Sequence, residues 1–390
     1  MRTFFSKNLS ILIFASATGI LFLIMMLVEQ AQHRFWLNDF KVFYWAAKAL
    51  IQGEQVYGVA FGLETGFYKY SPVTLLFFTP YTLLPYSTAS VIHFWIIVSA
   101  TIGLVVLLNS LVSQYLTESK GIPLLTYLVG LVCILNHLIR ELHLGNTNII
   151  LLLLLTQAAH STLHRKSLLA GVLLAIAILT KPYFLILGLP FLILWDWKTM
   201  TTTVASLLIF IGSSLLIFGL DRGLELYTLW IESMSQHSGY LSSNHTISSL
   251  IETYLSISLP GYAGYILFAV SSLTLCFYFF RSKMQREKAF LLFFFMLIAL
   301  VPNFLVTDTE HFLFALPLIL FMIKTLVEKQ NFLGMLLFGV VIAGYAGNSS
   351  DLLGNELSNR VDQLGILGIS NLIVISAVFY YSAAKSKISS

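Results

Sequence analysis

Charge is what this sequence has least of. Only 10% of its 390 residues are charged, against about 25% in an ordinary soluble domain. No stretch of soluble composition is long enough to form a separate domain, so a water-soluble fold is excluded. Cysteine is nearly absent as well. Cys133 and Cys276 both lie inside apolar runs, which rules out a disulfide framework and leaves the redox compartment unspecified. A basic tract is missing: the net charge of +4 is spread over loops, which gives nucleic acid no footprint. There is no internal repeat, so self-similarity lends nothing to an inverted-repeat transporter. What the chain does have is apolar residues, 57% of the total with mean hydropathy +0.85.

Apolar runs of roughly 15–25 residues recur from end to end, as membrane helices require. They predict about twelve spans, near 9–28, 87–113, 122–139, 147–160, 167–180, 183–196, 201–219, 261–280, 289–306, 311–326, 332–347 and 363–382. The fold class is therefore an all-α polytopic membrane protein, one unit over residues 1–390. Residues 8–28 mimic a secretory signal through "ASA" at 15–17, but the apolar run continues well past that point and reads as an uncleaved first span. An even number of spans puts both termini on one side. That side carries 14 of the 22 basic residues, among them Lys120, Arg165, Lys198 and Arg286, while 14 of the 18 acids fall opposite. The positive-inside rule then places both termini in the cytoplasm, with outer loops at about 29–86 and 220–260.

In the first outer loop Phe40, Phe43, Tyr44, Ala47, Leu50 and Ile51 recur at helical spacing, with Lys41, Trp45 and Lys48 on another face. This pattern predicts an amphipathic helix lying along the membrane surface, ended by Gly53. "YSPVTLLFFTPYTLLP" (70–85) carries three prolines and is too broken for a span. It is expected to dip into the interface, packed by protein or lining a cavity.

Ionisable groups at membrane depth are costly and mark function by default. Asp39 heads the amphipathic helix, where it either caps free N–H groups or stays available for chemistry, since Asn38 beside it caps equally well. "IRELHLGNTN" (139–148) packs Arg140, Glu141, His143, Asn146 and Asn148 into a short turn, read as a site or as a solvated hairpin with an internal Arg–Glu pair. Lys181 stands at a proline bend on the side where lysine is disfavoured, either snorkelling to water or meeting an anion. "SQHSGYLSSNHTISSLIE" (235–252) offers His237, Asn244 and His245. Asp308, Glu310 and His311 share one turn, yet no second histidine stands at metal-ligand spacing.

"NDFKVFYWAAKALIQGEQVYG" resembles the pattern Asp-Phe-x-x-Tyr-x-Ala-Ala-x-Ala-x-x-x-Gly-x-x-x-Tyr that follows the first span in glycosyltransferase family 87, matched here from Asp39 to Tyr57. "YKYSPVTLLFFTPYTLLP" is similar to that family's Tyr-x-Pro…Pro…Leu-Pro stretch, with Tyr70 at its start. "GNTN" resembles its Gly-Gln-x-Asn turn, "TKPY" its Lys-Pro, and "DTEHFLFALPLI" its late His-x-x-x-x-x-Pro segment. Three departures stand out: Asn146 where the family usually has Gln, Ser71 for a proline, and "NHTIS" for an Asn-Gln-Ser-like loop.

The resemblance implies the C-type glycosyltransferase fold and an inverting enzyme that takes a sugar, mannose or another hexose, from a polyprenyl-phosphate donor. The acceptor would be a lipid-linked or glycan hydroxyl on the outer face of the cytoplasmic (inner) membrane. Asp39 would be the general base, with Lys181 or His311 at the phosphate and Tyr70, Arg140, Asn146, Asn148, Asn244 and His245 holding substrate. No cofactor is expected, a divalent metal is not called for, and the partners are the donor lipid, the acceptor and membrane lipids. The competing class is a transporter or flippase, which should place its ionisable groups near mid-membrane on broken helices. Here they gather at span ends on one side.

Overall fold

The protein is described from a computed structural model that covers residues 2–62, 66–117, 123–237 and 244–388. Glu118 and Lys120 of the charge count lie outside the described residues, as do the side chains of Arg2, Lys7, His237, Lys385 and Lys387. Helices account for nearly all of it. Among the described residues the one extended pairing is an isolated antiparallel bridge between Ala60 and Phe67.

Among the described residues eight helices are long and apolar enough to cross a membrane. A ninth arises if Phe332–Ala346 and Ser350–Gln363, bent by 84° at their junction, count as one span. These account for nine of the twelve expected spans. The other three correspond to shorter helices, Asn148–Leu163, Ser167–Thr180 and Pro182–Leu194. At about 1.5 Å per residue, Asn148–Leu163, with 16 residues, reaches about 24 Å, short of a bilayer core of about 30 Å.

The centre of the molecule is Arg286–Phe304, buried at every residue from Ala289 to Phe304. It packs on Ala263–Arg281, on Gly188–Leu194 and on the 3₁₀ turn Thr309–Ala315 that leads into Leu316–Glu328. Trp197–Phe218 lies at the other extreme, with Leu208, Ile209 and Leu216 fully out of the protein core. An apolar helix exposed all along one side fits a lipid-facing position.

Asn38–Gln52 forms as predicted and ends in a Schellman cap: Gly53 (φ +80°) donates to Leu50 O and Glu54 to Ala49 O, which satisfies the last free carbonyls. Its surface-lying role needs correction. Phe40, Phe43, Tyr44, Ala47 and Leu50 are buried against the protein itself, namely Pro72–Phe78, Thr79–Leu83, Tyr86–Leu111 and Pro123–Leu144, and of the predicted stripe Ile51 stays exposed. The 70–85 stretch is a short helix, Pro72–Phe78, continued by the 3₁₀ turn Thr79–Leu83. Val73, Leu75 and Phe78 are buried, so this irregular backbone is packed by protein, as expected.

Candidate active site

Asp39 does not cap its helix. Leu37 occupies the N-cap position and supplies no side-chain bond to the free N–H groups there. The Asp39 carboxylate turns instead to the end of Pro123–Leu144, where Asn146 Nδ2 donates to its Oδ2 at 2.6 Å. Its other oxygen accepts no hydrogen bond among the described residues.

That contact depends on how the second helix stops. Gly145 (φ +67°) donates to Leu142 O and Asn146 to Glu141 O, the two bonds of a Schellman motif. A β-carbon on Gly145 would stand 2.8 Å from Phe40 Cβ and 3.0 Å from Leu37 Cβ, closer than side-chain carbons tolerate. Glycine here permits both the left-handed turn and the approach of the helix that carries Asp39. His93 locks the same junction: its ring stacks 4.2 Å from Phe40 and its Nε2 lies 3.0 Å from Gly145 O. Beyond the turn, Tyr70 Oη reaches Asn146 Oδ1 at 3.4 Å and Thr147 Oγ1 at 3.2 Å.

Lys181 is placed by its neighbour. Proline disfavours helical backbone in the residue before it, and Lys181 is extended (φ −137°, ψ 97°) between Ser167–Thr180 and the 3₁₀ turn from Pro182. Its ammonium is buried rather than snorkelling. Nζ donates at 2.6 Å to Asn148 Oδ1 and at 2.6 Å to His311 Nε2. An ammonium has no acceptor capacity, so Nε2 is the bare nitrogen. His311 Nδ1–H then donates to Asp308 O at 3.1 Å, which fixes the tautomer. Two of the three lysine N–H bonds are used and the third has no partner among the described residues.

Of the two readings of 139–148, the solvated hairpin with an internal Arg140–Glu141 pair is overturned. Consecutive helical residues point about 100° apart: Arg140 instead pairs with buried Glu310, while Glu141 turns into the core. There it accepts from Asn148 Nδ2 at 2.9 Å and Ile149 N at 3.0 Å. Both residues lie on the last turns of Pro123–Leu144, not in a loop.

Burial drives the Asp39 carboxyl up to about 7, with Glu310 and Asp308 adding to the rise and Lys69 and Lys181 opposing it. A carboxylate tuned to that value is suited to take a proton near neutrality. Lys69 was not singled out from the sequence. It is held below the usual lysine range by burial, against the pull of Asp308 and Asp39. Its backbone is pinned where Trp230 Nε1 donates to Lys69 O at 3.0 Å, and its ammonium makes no hydrogen bond or ion pair among the described residues.

Six of the expected site residues thus gather: Asp39, Tyr70, Asn146, Asn148, Lys181 and His311, with Arg140 joined through Glu310. Asn244 and His245 bond to Asp362 rather than to these residues, although the His245 ring lies 5.7 Å from that of Phe312. Asn244 Nδ2 donates to Asp362 Oδ2 at 2.8 Å, and His245 Nε2 lies 3.0 Å from Asp362 Oδ1. Asp308, Glu310 and His311 do not converge on one point, since Glu310 faces Arg140 and His311 faces Lys181. Among the described residues no group of three or more His, Cys, Asp or Glu is placed to hold a metal ion.

The family model of glycosyltransferase family 87 matches residues 67–307, well over half of the chain. This protein belongs to glycosyltransferase family 87. Membership of this family favours the glycosyltransferase reading over the transporter one. A curated relative, an α-(1→3)-arabinofuranosyltransferase of Corynebacterium glutamicum, is 27% identical over 187 residues. That similarity covers 46% of this chain and 44% of the relative, so the chain spans less than half the length of the protein it matches. Within this family member, Lys181, Asn146 and the 70–85 segment all fall inside the matched region, whereas Asp39 and His311 flank it.

Proposed function

We propose that this glycosyltransferase moves a sugar, mannose or another hexose, from a polyprenyl-phosphate donor to a hydroxyl of a lipid-linked or glycan acceptor, with inversion. The reaction would take place on the outer face of the cytoplasmic membrane. The observation that carries the reading is the pairing of a carboxylate with a free oxygen and a buried ammonium with a free N–H, near enough that the charge of Lys181 acts on Asp39.

Asp39 Oδ1 takes the proton of the acceptor hydroxyl as its oxygen attacks the anomeric carbon. The bond from that carbon to the phosphate oxygen breaks on the opposite face, and its electron pair leaves with the polyprenyl phosphate. Lys181 meets the negative charge that develops there, with Lys69 as a second cation. Fixed charges aimed where charge develops are the strongest contribution such a site makes. The proton on Asp39 then returns to water. A single carboxylate suffices because no covalent sugar–enzyme intermediate forms. Two lysines and Arg140 supply the positive charge, and the scheme uses no metal. Tyr70, Asn146 and the outward N–H groups of half-exposed Arg140 are suited to sugar hydroxyls. The arabinofuranosyl relative makes a pentose donor worth including in any panel.

The test is lipid-phosphate release by purified protein from a panel of polyprenyl-phosphate hexoses and pentoses. Asp39→Asn keeps the size and the bond from Asn146 after an amide flip. General-base help is typically worth about 10²–10⁴-fold, so this variant should be nearly inactive while remaining folded. Turnover within a few-fold of the native protein would remove Asp39 as the base.

A further inference from the structure

Behind Lys181 lies a second layer that the chemistry above does not use. Glu141 and Asn148 are both wholly buried, and a carboxylate so placed needs a reason. One of its oxygens accepts from Ile149 N and the other from Asn148 Nδ2. This leaves the Asn148 amide a single orientation, with its oxygen aimed at Lys181 Nζ. The chain of donors runs one way, from Lys181 through Asn148 to Glu141, and with His311 it holds two of the ammonium's N–H bonds and leaves the third without a partner among the described residues.

We infer that Glu141 is a positioning residue for the donor phosphate: by fixing the polarity of the Asn148 amide it orients Lys181. The inference rests on the reading of Lys181 as the phosphate partner. No bond is made or broken at Glu141, and its role is confined to direction and charge.

Polarity makes the proposal testable by exchange. In Glu141→Gln the amide nitrogen of the new side chain meets Asn148 Nδ2, donor against donor, while its oxygen still serves Ile149 N. Asn148 must flip and present Nδ2 to the lysine. Adding Asn148→Asp restores every bond: glutamine donates to the aspartate, the aspartate accepts from Lys181, and one negative charge is again present. Single and double variants, with Lys181→Met alongside, would be assayed for lipid-phosphate release at varied donor and acceptor concentrations. A hydrogen bond to a charged group corresponds to about 10- to 100-fold, so Glu141→Gln should lose that much in kcat/KM for the donor, with the acceptor KM unmoved. Glu141→Gln/Asn148→Asp should return to within about threefold, the residual error of a restored bond set.

A folded double variant as poor as Glu141→Gln overturns the proposal, and so does a double variant that fails to fold, because every donor in it again meets an acceptor. If Lys181→Met disables donor use while Glu141→Gln does not, Glu141 alone is wrongly placed. If Lys181→Met changes nothing, it is the phosphate reading itself that fails.

Discussion

The charge state of one carboxyl governs two properties that move in opposite directions with pH. Asp39 must be ionised to accept a proton, and its value near 7 means turnover should climb as pH rises through about 7. Its native value lies above the ordinary 3.8, so the folded protein binds this proton more tightly than the unfolded chain does. Stability therefore falls as pH rises through the window from about 4 to about 7. Asp39→Asn, already expected to be inactive, should lose this slope and be at least as stable as the native protein at pH 8. Thermal unfolding in detergent across that window would detect it; an unchanged slope would assign the pH dependence elsewhere. Lys69 enters through the same carboxyl. Removing a nearby cation disfavours the ionised form, so Lys69→Met should shift the acid limb of the rate profile upward. A limb that stays in place would separate Lys69 from Asp39. The sequence made Asp39, Asn146, Lys181 and His311 legible because each is a polar group in an apolar setting. It left Glu141 open between a site and a pair with Arg140, because a neighbour in sequence need not be a neighbour in space. Lys69 was hidden in a loop between two tyrosines, where no periodicity singles out a lysine.

At the level of elements, the site is made by how helices stop rather than by the helices themselves. Pro123–Leu144 delivers Asn146 through a left-handed glycine, and Ser167–Thr180 delivers Lys181 through a proline. Gly145→Ala should therefore be severe. Left-handed backbone costs a side-chain-bearing residue about 1–2 kcal/mol, and the added carbon would press on Phe40 and Leu37. A lowered unfolding temperature with a further loss of activity is expected, since the Asn146–Asp39 bond crosses this contact; an alanine variant of native stability would show that the junction yields. Glycine and proline were both visible in the sequence as stops. What periodicity could not say was which surface covers an apolar face. The stripe on Asn38–Gln52 reads identically whether lipid or protein meets it, and protein does.

For the whole molecule the same ambiguity decides which helices are central. Arg286–Phe304 and Trp197–Phe218 have mean hydropathies of 1.7 and 2.0, yet the first is enclosed and the second exposed along most of its length. Hydropathy reports tolerance of an apolar medium and does not distinguish lipid tails from neighbouring helices. Orientation is a separate question, read from charge. On the proposal that both termini are cytoplasmic, a cysteine at exposed Gln55 should react with a membrane-impermeant thiol reagent in intact cells, and one at exposed Gln285 should not, after replacement of Cys133 and Cys276. The reverse labelling would move the proposed active site to the other face. The 3₁₀ turn Thr309–Ala315 carries Glu310 and His311 and also forms the first seven residues of a 20-residue span. A 3₁₀ residue advances about 2.0 Å and an α-helical one about 1.5 Å. The span is thus about 33 Å long, and winding the turn into α-helix would shorten it by roughly 3.5 Å. A hydrocarbon core thinner than this span would favour the shorter α-helical winding, which would move His311. Proteoliposomes of graded acyl-chain length should give turnover that falls as the hydrocarbon core thins below about 30 Å, and a flat response would show that the turn is held by its protein neighbours alone.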